Sequence, residues 1–309
     1  GLGDVYKRQF LGRGRLLISQ KKVMIYTLAV ILAFYSFAPI YYLAVISFSW
    51  ASDVLTVPSP LFPPNPTLAN YLRIFGYWVT NPLGQPLRPA GQYRELMQGI
   101  KNAAIIGVAN TIITMAAAVP AGYVLGRYRI QKKNWFIFLL LGTRTIPPAS
   151  IVVPYYLMYV SLGLRDTYIG LILLHLTMTI PLMTWILMGF FATLPRDLEK
   201  AARIDGCGRI TAFTKIVLPL TKPAIATCAI LTFLFSWNEF LFGRLLSGGG
   251  GCQPFTPYLM TFFNNMTVDT SMFASAVMTN LLPALIIALI LQKYITSIRI
   301  VDPVSVVIE

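Results

Sequence analysis

The stretch Thr167–Pro195, TYIGLILLHLTMTIPLMTWILMGFFATLP, contains no Lys, Arg, Asp or Glu in 29 residues. A helix needs about 20 mostly apolar residues, at 1.5 Å each, to cross a bilayer. A helix on the surface of a soluble domain would show a polar stripe every 3.6 residues. This stretch shows none, so lipid is its expected surrounding. Five further stretches read the same way: Val23–Ser52, Asn102–Gly126, Asn134–Leu164, Pro223–Gly243 and Thr270–Gln292. Only two of the six carry a charge, Arg144 in the third and Glu239 in the fifth. The expected fold is therefore all-α, a polytopic membrane protein with six transmembrane helices.

Composition agrees. The 309-residue chain is 56% hydrophobic and 12% charged. Soluble domains average about 45–50% apolar and about 25% charged. The net charge of +14 does not signal nucleic acid, because the basic residues fall between apolar runs rather than on one accessible face. They follow the positive-inside rule instead. Eighteen of the 25 Lys and Arg lie in the N-terminal tail, the second-to-third and fourth-to-fifth loops and the C-terminal tail. Six (Arg73, Arg88, Arg94, Lys101, Arg165, Arg244) lie on the opposite side, and Arg144 lies within a span. Both termini are thus expected in the cytoplasm.

The expected organisation is a cytoplasmic tail at 1–22, a six-helix domain at 23–293 containing a cytoplasmic loop at 195–222, and a cytoplasmic tail at 294–309. Residues 1–9 are set aside as an assembly remnant. No cleavable signal peptide is expected, since the run from Val23 lacks a small-residue cleavage pattern. The first outside loop, about 53–100, is rich in proline and should be turn-like. Gly248–Gly251 reads as a flexible loop tip. Cys207, Cys228 and Cys252 are far apart with no metal spacing, so neither a disulfide nor a metal site is expected. His175, the sole histidine, lies in an apolar run and is read as a packing residue. No Gly-Lys-Ser/Thr phosphate loop is present, so the chain should hold no nucleotide or other cofactor itself.

The 195–222 loop carries the functional signal. Pro195 closes the fourth span, and Leu198-Glu199-Lys200-Ala201-Ala202-Arg203-Ile204-Asp205-Gly206-Cys207 reads as a short helix stopped by glycine. Gly206 suits a left-handed C-cap. Phe213, Ile216 and Val217 then give a second apolar face, ahead of Leu218 and Pro219. Ala201 and Ala202 are small enough for another surface to approach. A membrane-surface helix would carry Trp, Phe or Leu opposite its basic residues instead.

This segment resembles the EAA loop of ABC importer permeases: a glutamate, two alanines, an aspartate-glycine pair, then leucine-proline. Ala201, Ala202, Asp205, Gly206, Leu218 and Pro219 match. Lys200 stands where the pattern has glutamate, with Glu199 just before it, and Cys207 replaces the usual alanine. Four other segments are similar to the carbohydrate, maltose-type branch. They are Pro66–Tyr71, Ile146-Pro147-Pro148 with Pro154, Phe235–Phe240 and Gln292-Lys293-Tyr294. The likeness runs from Lys21 to Ile298, and Arg299–Glu309 replaces the branch's glycine-rich tail.

The resemblance implies a permease that forms a pathway with a second permease. It also implies an extracytoplasmic solute-binding protein and two ATPase subunits that carry ATP and Mg and dock on Glu199, Ala201, Ala202, Asp205, Gly206, Cys207, Leu218 and Pro219. The loop at 245–269 would meet the binding protein. Arg144, Trp237, Asn238 and Glu239 are candidate pathway residues, since charge within a span is expensive and often functional. Trp237 also reads as an interface residue and Glu239 as a buried helix contact. A polyol or glycerol phosphate permease would look alike. A secondary transporter or channel is the alternative class, and needs no such loop.

Overall fold

A computed structural model describes residues 2–263 and 269–295. Four unbroken helices are long and apolar enough to span: α1 (Leu2–Ser47, apolar from Lys22), α2 (Tyr93–Arg127), α5 (Tyr168–Thr193) and α9 (Thr270–Ile295). Two bent pairs complete a count of up to six. The helices α3 (Lys133–Thr145) and α4 (Pro148–Ser161) meet at 90°, and the segment Arg209–Leu220 meets α7 (Lys222–Trp237) at 74°. Two short helices, α6 (Asp197–Ile204) and α8 (Leu241–Ser247), flank α7 in the chain.

Several boundaries differ from the sequence reading. The third span is two helices, because Pro147-Pro148 removes two donors and pushes Ile146 out of the helical region; Ile146 is extended at φ −76°, ψ 121°. The isolated Pro39, Pro120, Pro154, Pro181 and Pro283 all sit inside continuous helices. The fifth span ends at Trp237 rather than Gly243. Helix α2 begins nine residues before Asn102, inside the stretch expected as loop. The outside loop also forms a two-residue antiparallel ladder, Val79–Thr80 with Pro86–Leu87, a small exception to all-α. The tail at 296–309 lies outside the described residues.

Three apolar clusters run along the bundle. One joins Leu96, Ala103, Trp237, Phe255 and Ala276. The next joins Ile106, Tyr159, Leu174, Phe242 and Leu246. The third joins Ala118, Tyr123, Leu187, Phe191, Val217 and Cys228 at the end that carries the 195–222 loop. Helix α5 packs along α2 and against α7, and its N-terminus is capped by Thr167 Oγ1, which accepts the Gly170 N–H at 3.0 Å. From Lys22 onward α1 is exposed until its last turns, where it packs on α9.

The end of α1 shows how a loop motif serves the fold. Its last carbonyls have no helical partner. The side-chain amide of Asn70 donates to Ser47 O at 3.1 Å and Ser49 O at 2.8 Å, and Ser275 Oγ donates to Ser47 O at 3.0 Å. Tyr71 adds a hydroxyl bond to Ser47 Oγ at 2.8 Å. The Pro66–Tyr71 motif thus fastens the end of α1 to the loop, while Ser275 fastens it to α9.

Candidate functional site

The 195–222 loop folds as a short helix, a glycine stop and a second short helix. Gly206 has φ +85° with open space around it, so only its backbone conformation demands glycine. The second helix begins at Arg209 and widens into a π-type turn at Phe213–Val217. Phe213 and Val217 pack into the third cluster, Phe213 4.4 Å from the Tyr123 ring centroid. The outer face is left bare: Ala201, Asp205 and Gly206 are exposed, Ile204 and Ile210 are 86% and 80% exposed, and Cys207 is half-buried. Ala202 faces inward and is buried, Leu218 is half-buried, and Pro219 is exposed. Lys200 bonds Asp197 at 2.8 Å on the surface, which holds the Asp197 carboxyl below its usual range.

Glu199 points into the protein. It accepts the Arg127 Nε–H at 2.9 Å. The same guanidinium donates to Leu194 O at 2.6 Å, Pro195 O at 3.3 Å and Phe191 O at 3.4 Å, with its side chain only 3% exposed. Arg127 is the last residue of α2, so it reaches across to the end of α5 and to α6. The helices must approach closely for this. Gly122 and Gly126 supply the contact: a Cβ at Gly122 would sit 2.9 Å from Leu187 Cβ, and one at Gly126 would sit 2.7 Å from Met188 O. The spacing is the small-xxx-small pattern of close helix pairs in membranes. In the sequence alone Arg127 is one of the basic residues of the second-to-third loop. The Gly122-x-x-x-Gly126 spacing beside it was the available signal.

The four pathway candidates do not converge. Arg144 lies at the α3–α4 break, donates to Met178 O at 3.3 Å and covers the Phe235 ring at 5.7 Å. It lines a cavity of about 190 Å³ with Thr143, Tyr155 and Thr177. Trp237 is buried and donates from Nε1 to Asn280 O at 3.1 Å, with its ring stacked on Phe233. Asn238 is exposed and donates to Leu234 O at 2.9 Å. Glu239 accepts the N–H groups of Phe242 and Gly243 at 2.9 and 2.7 Å, and so caps the start of α8. Glu239 also lies 3.7 Å from His175 Nε2, while His175 Nδ1 pairs with Ser236 Oγ at 2.6 Å. The lone histidine is fully buried and joins α5 to the bend after α7.

At the opposite end, Gly248–Gly251 is not a free tip. It wraps the Asp166 carboxylate, which accepts the N–H of Gly251 at 3.1 Å and of Cys252 at 3.2 Å, and the Cys252 thiol at 3.1 Å. A Cβ at Gly250 would fall on that carboxylate. Burial, reinforced by Asp166, pushes the Cys252 thiol up to about 12. Asn102 finishes this end by donating to Gly251 O and Gln253 O, both at 2.8 Å, and accepting from Tyr168 at 2.7 Å and Gln98 at 3.0 Å. The 195–222 loop and the Gly248–Gly251 loop therefore occupy opposite ends of the bundle. No group of three or more His, Cys, Asp or Glu that could hold a metal occurs among the described residues.

Residues 118–298 match the family described as "Binding-protein-dependent transport system inner membrane component". The chain is 31% identical over 280 residues to the trehalose/maltose transport system permease protein MalG of Thermococcus litoralis, covering 90% of this chain and 94% of the relative. It is 28% identical to the sulfoquinovosyl glycerol transport system permease protein SmoH of Agrobacterium fabrum, covering 80% and 81%. The fold is similar to a chain from a solved bacterial ABC transporter involved in the import of the acidic polysaccharide alginate, with TM-score 0.69, 22% identity, and 88% and 95% of the two chains covered. With 181 of its residues in the family match, this chain belongs to the binding-protein-dependent transport system inner membrane components, as a multi-pass ABC transport permease of the inner membrane.

Proposed function

We propose that this chain forms, with a second permease, the translocation pathway for a carbohydrate, and that its 195–222 loop couples that pathway to separate ATPase subunits. The carrying observation is the bare apolar face of the loop. Ile204 and Ile210 stand 86% and 80% exposed beside Ala201, Asp205 and Gly206, while the rest of the loop is anchored by Glu199, Ala202 and Val217. Two large apolar side chains left exposed outside the spans, among polar neighbours, fit a surface that a partner protein covers. With no phosphate loop in the sequence, ATP and Mg belong to the partner. A sugar substrate is supported by the transport named for the relatives, and delivery by a solute-binding protein fits the family description. The loop end is cytoplasmic by the distribution of Lys and Arg.

The pathway reading rests on the α3–α4 break. Non-helical backbone at membrane depth is tolerated where it is buried in protein or lines a water-filled cavity. Thr143–Ser150 is exposed in this chain alone, so the second permease and the pathway lie against it. Arg144 and Asn238 then offer side chains to the solute, and Trp237 and Glu239 hold the bend that presents Asn238. Substrate moves by alternating access, as ATP binding favours one of two states.

The test is co-purification of the ATPase with the whole importer, together with ATP-dependent uptake in proteoliposomes containing the binding protein. Ile204→Asp and Gly206→Pro are expected to abolish both. Ala202 is buried, so a substitution there reports on packing instead. A complex that keeps its ATPase and its uptake with both substitutions in place would overturn the coupling assignment.

A further inference from the structure

The link between α5 and α6 is short, three residues from Leu194 to Arg196, with Leu194 half-buried against the third cluster. Leu194 is extended at φ −70°, ψ 140°, and Pro195 offers no N–H. Such a segment absorbs motion as a hinge. A displacement of α6 would be lost there unless something bridges it. Arg127 bridges it: its fork holds Leu194 O, Pro195 O and Phe191 O on one side and Glu199 on the other. The last carbonyls of a helix lack partners and carry the negative end of the dipole. A buried guanidinium, with five donors in a fixed fork, satisfies three of these carbonyls and the Glu199 carboxylate together, four acceptors against an ammonium's three donors. Gly126, one residue earlier, sets the approach that puts the fork in range.

We propose that Arg127 is the positioning residue of coupling: it locks α6 and the end of α5 to α2, so that movement of the loop becomes movement of two spans. This rests on the coupling assignment above. An arginine that only stabilised the fold would lower all activities together. An arginine that transmits motion leaves ATP hydrolysis running while transport fails.

The experiment measures solute moved per ATP hydrolysed in the full importer with its binding protein, for complexes that assemble normally. Arg127→Gln is expected to keep ATPase activity within about twofold and to lower uptake about tenfold, within the usual range of coupling factors. Arg127→Lys should fall between, and it carries the same test where the glutamine variant does not assemble. Glu199→Gln should lose less, since the carbonyl bonds remain. The reversed pair, Arg127→Glu with Glu199→Arg, should stay uncoupled, because a carboxylate cannot donate to the α5 carbonyls. A parallel fall of uptake and ATPase would overturn the proposal, as would recovery in the reversed pair. If the complex keeps its ATPase and its uptake with Ile204→Asp and Gly206→Pro in place, the coupling assignment itself fails. If Ile204→Asp releases the ATPase while Arg127→Gln leaves the ratio unchanged, only the role of Arg127 fails.

Discussion

Gly126→Ala tests the helix contact on which the site depends. Its added Cβ would lie 2.7 Å from Met188 O, 3.0 Å from Phe191 Cβ and 3.3 Å from Ala192 N. An ordinary carbon–oxygen contact needs about 3.3 Å or more, so α2 and α5 must part by about 0.6 Å. Overpacking of this kind costs about 1–3 kcal/mol. Against it stands the helix preference for Ala over Gly, about 0.5–1 kcal/mol. The net expectation is destabilisation of about 0.5–2 kcal/mol. Gly142 supplies the internal control. It is also helical, in α3, but nothing lies within 4 Å of its added Cβ. Gly142→Ala should therefore be neutral or stabilising by about 0.5–1 kcal/mol, and the two variants should separate by about 1–3 kcal/mol. Denaturant unfolding of the importer in nanodiscs measures the difference, and uptake should fall in Gly126→Ala alone. Equal shifts of the same sign would refute the claim that this glycine sets the helix spacing.

Two further outcomes follow from the opposite end of the bundle. In the intact complex at pH 8, maleimide should label Cys252 more than about 100-fold slower than a free thiol, because its protonated form is favoured; reactivity rises as pH approaches 12. Gly250→Ala, by displacing the Asp166 carboxylate and loosening the loop, should raise the rate at least about tenfold, and peptide mass spectrometry that finds wild-type Cys252 labelled at the free-thiol rate would contradict the caged geometry. Asn102→Ala removes four hydrogen bonds and should cost about 2–4 kcal/mol in the same unfolding assay; Asn102→Asp, which sets a carboxylate against the carbonyls of Gly251 and Gln253, should be no milder, and an unshifted midpoint in both would show that the network does not hold the loop.

Long apolar runs are legible because the bilayer imposes one rule on each of them: α5 falls where charge-free sequence places it, α9 runs only a turn past its charge-free stretch, and α2 contains its expected run but starts nine residues earlier, through Arg94, Glu95 and Lys101. Breaks were less legible. A single proline inside a span is absorbed, as at Pro181, whereas Pro147-Pro148 stops the helix, since the first ring holds Ile146 and the second holds Pro147 in extended backbone, Pro147 at φ −61°, ψ 131°. The end of the fifth span was hidden for another reason. Asn238 and Glu239 are too few to interrupt an apolar run of sequence, but Glu239 finds two N–H groups to cap, and capping at α8 outweighs continuation of α7. Glycine composition misled at Gly248–Gly251, where the glycines answer to a carboxylate 82 or more residues earlier.

The loop motif shows where reading residue types reaches its limit. Gly206 could be assigned because a left-handed position is a property of one residue. Ala201 and Ala202 could not be told apart, because which alanine faces out depends on where α2 and α5 anchor the helix; Ala201 is exposed and Ala202 buried. Glu199 and Lys200 carry the same lesson with charge. Lys200 occupies the glutamate's place in the pattern, yet the inward anchor falls to Glu199, since only its side of the helix meets Arg127. Arg127 counts in the sequence as one of many basic residues bordering a span. Its role exists only once Gly122 and Gly126 have drawn α5 within reach of its fork, so spacing between helices, rather than identity along one of them, decides which charge organises the loop.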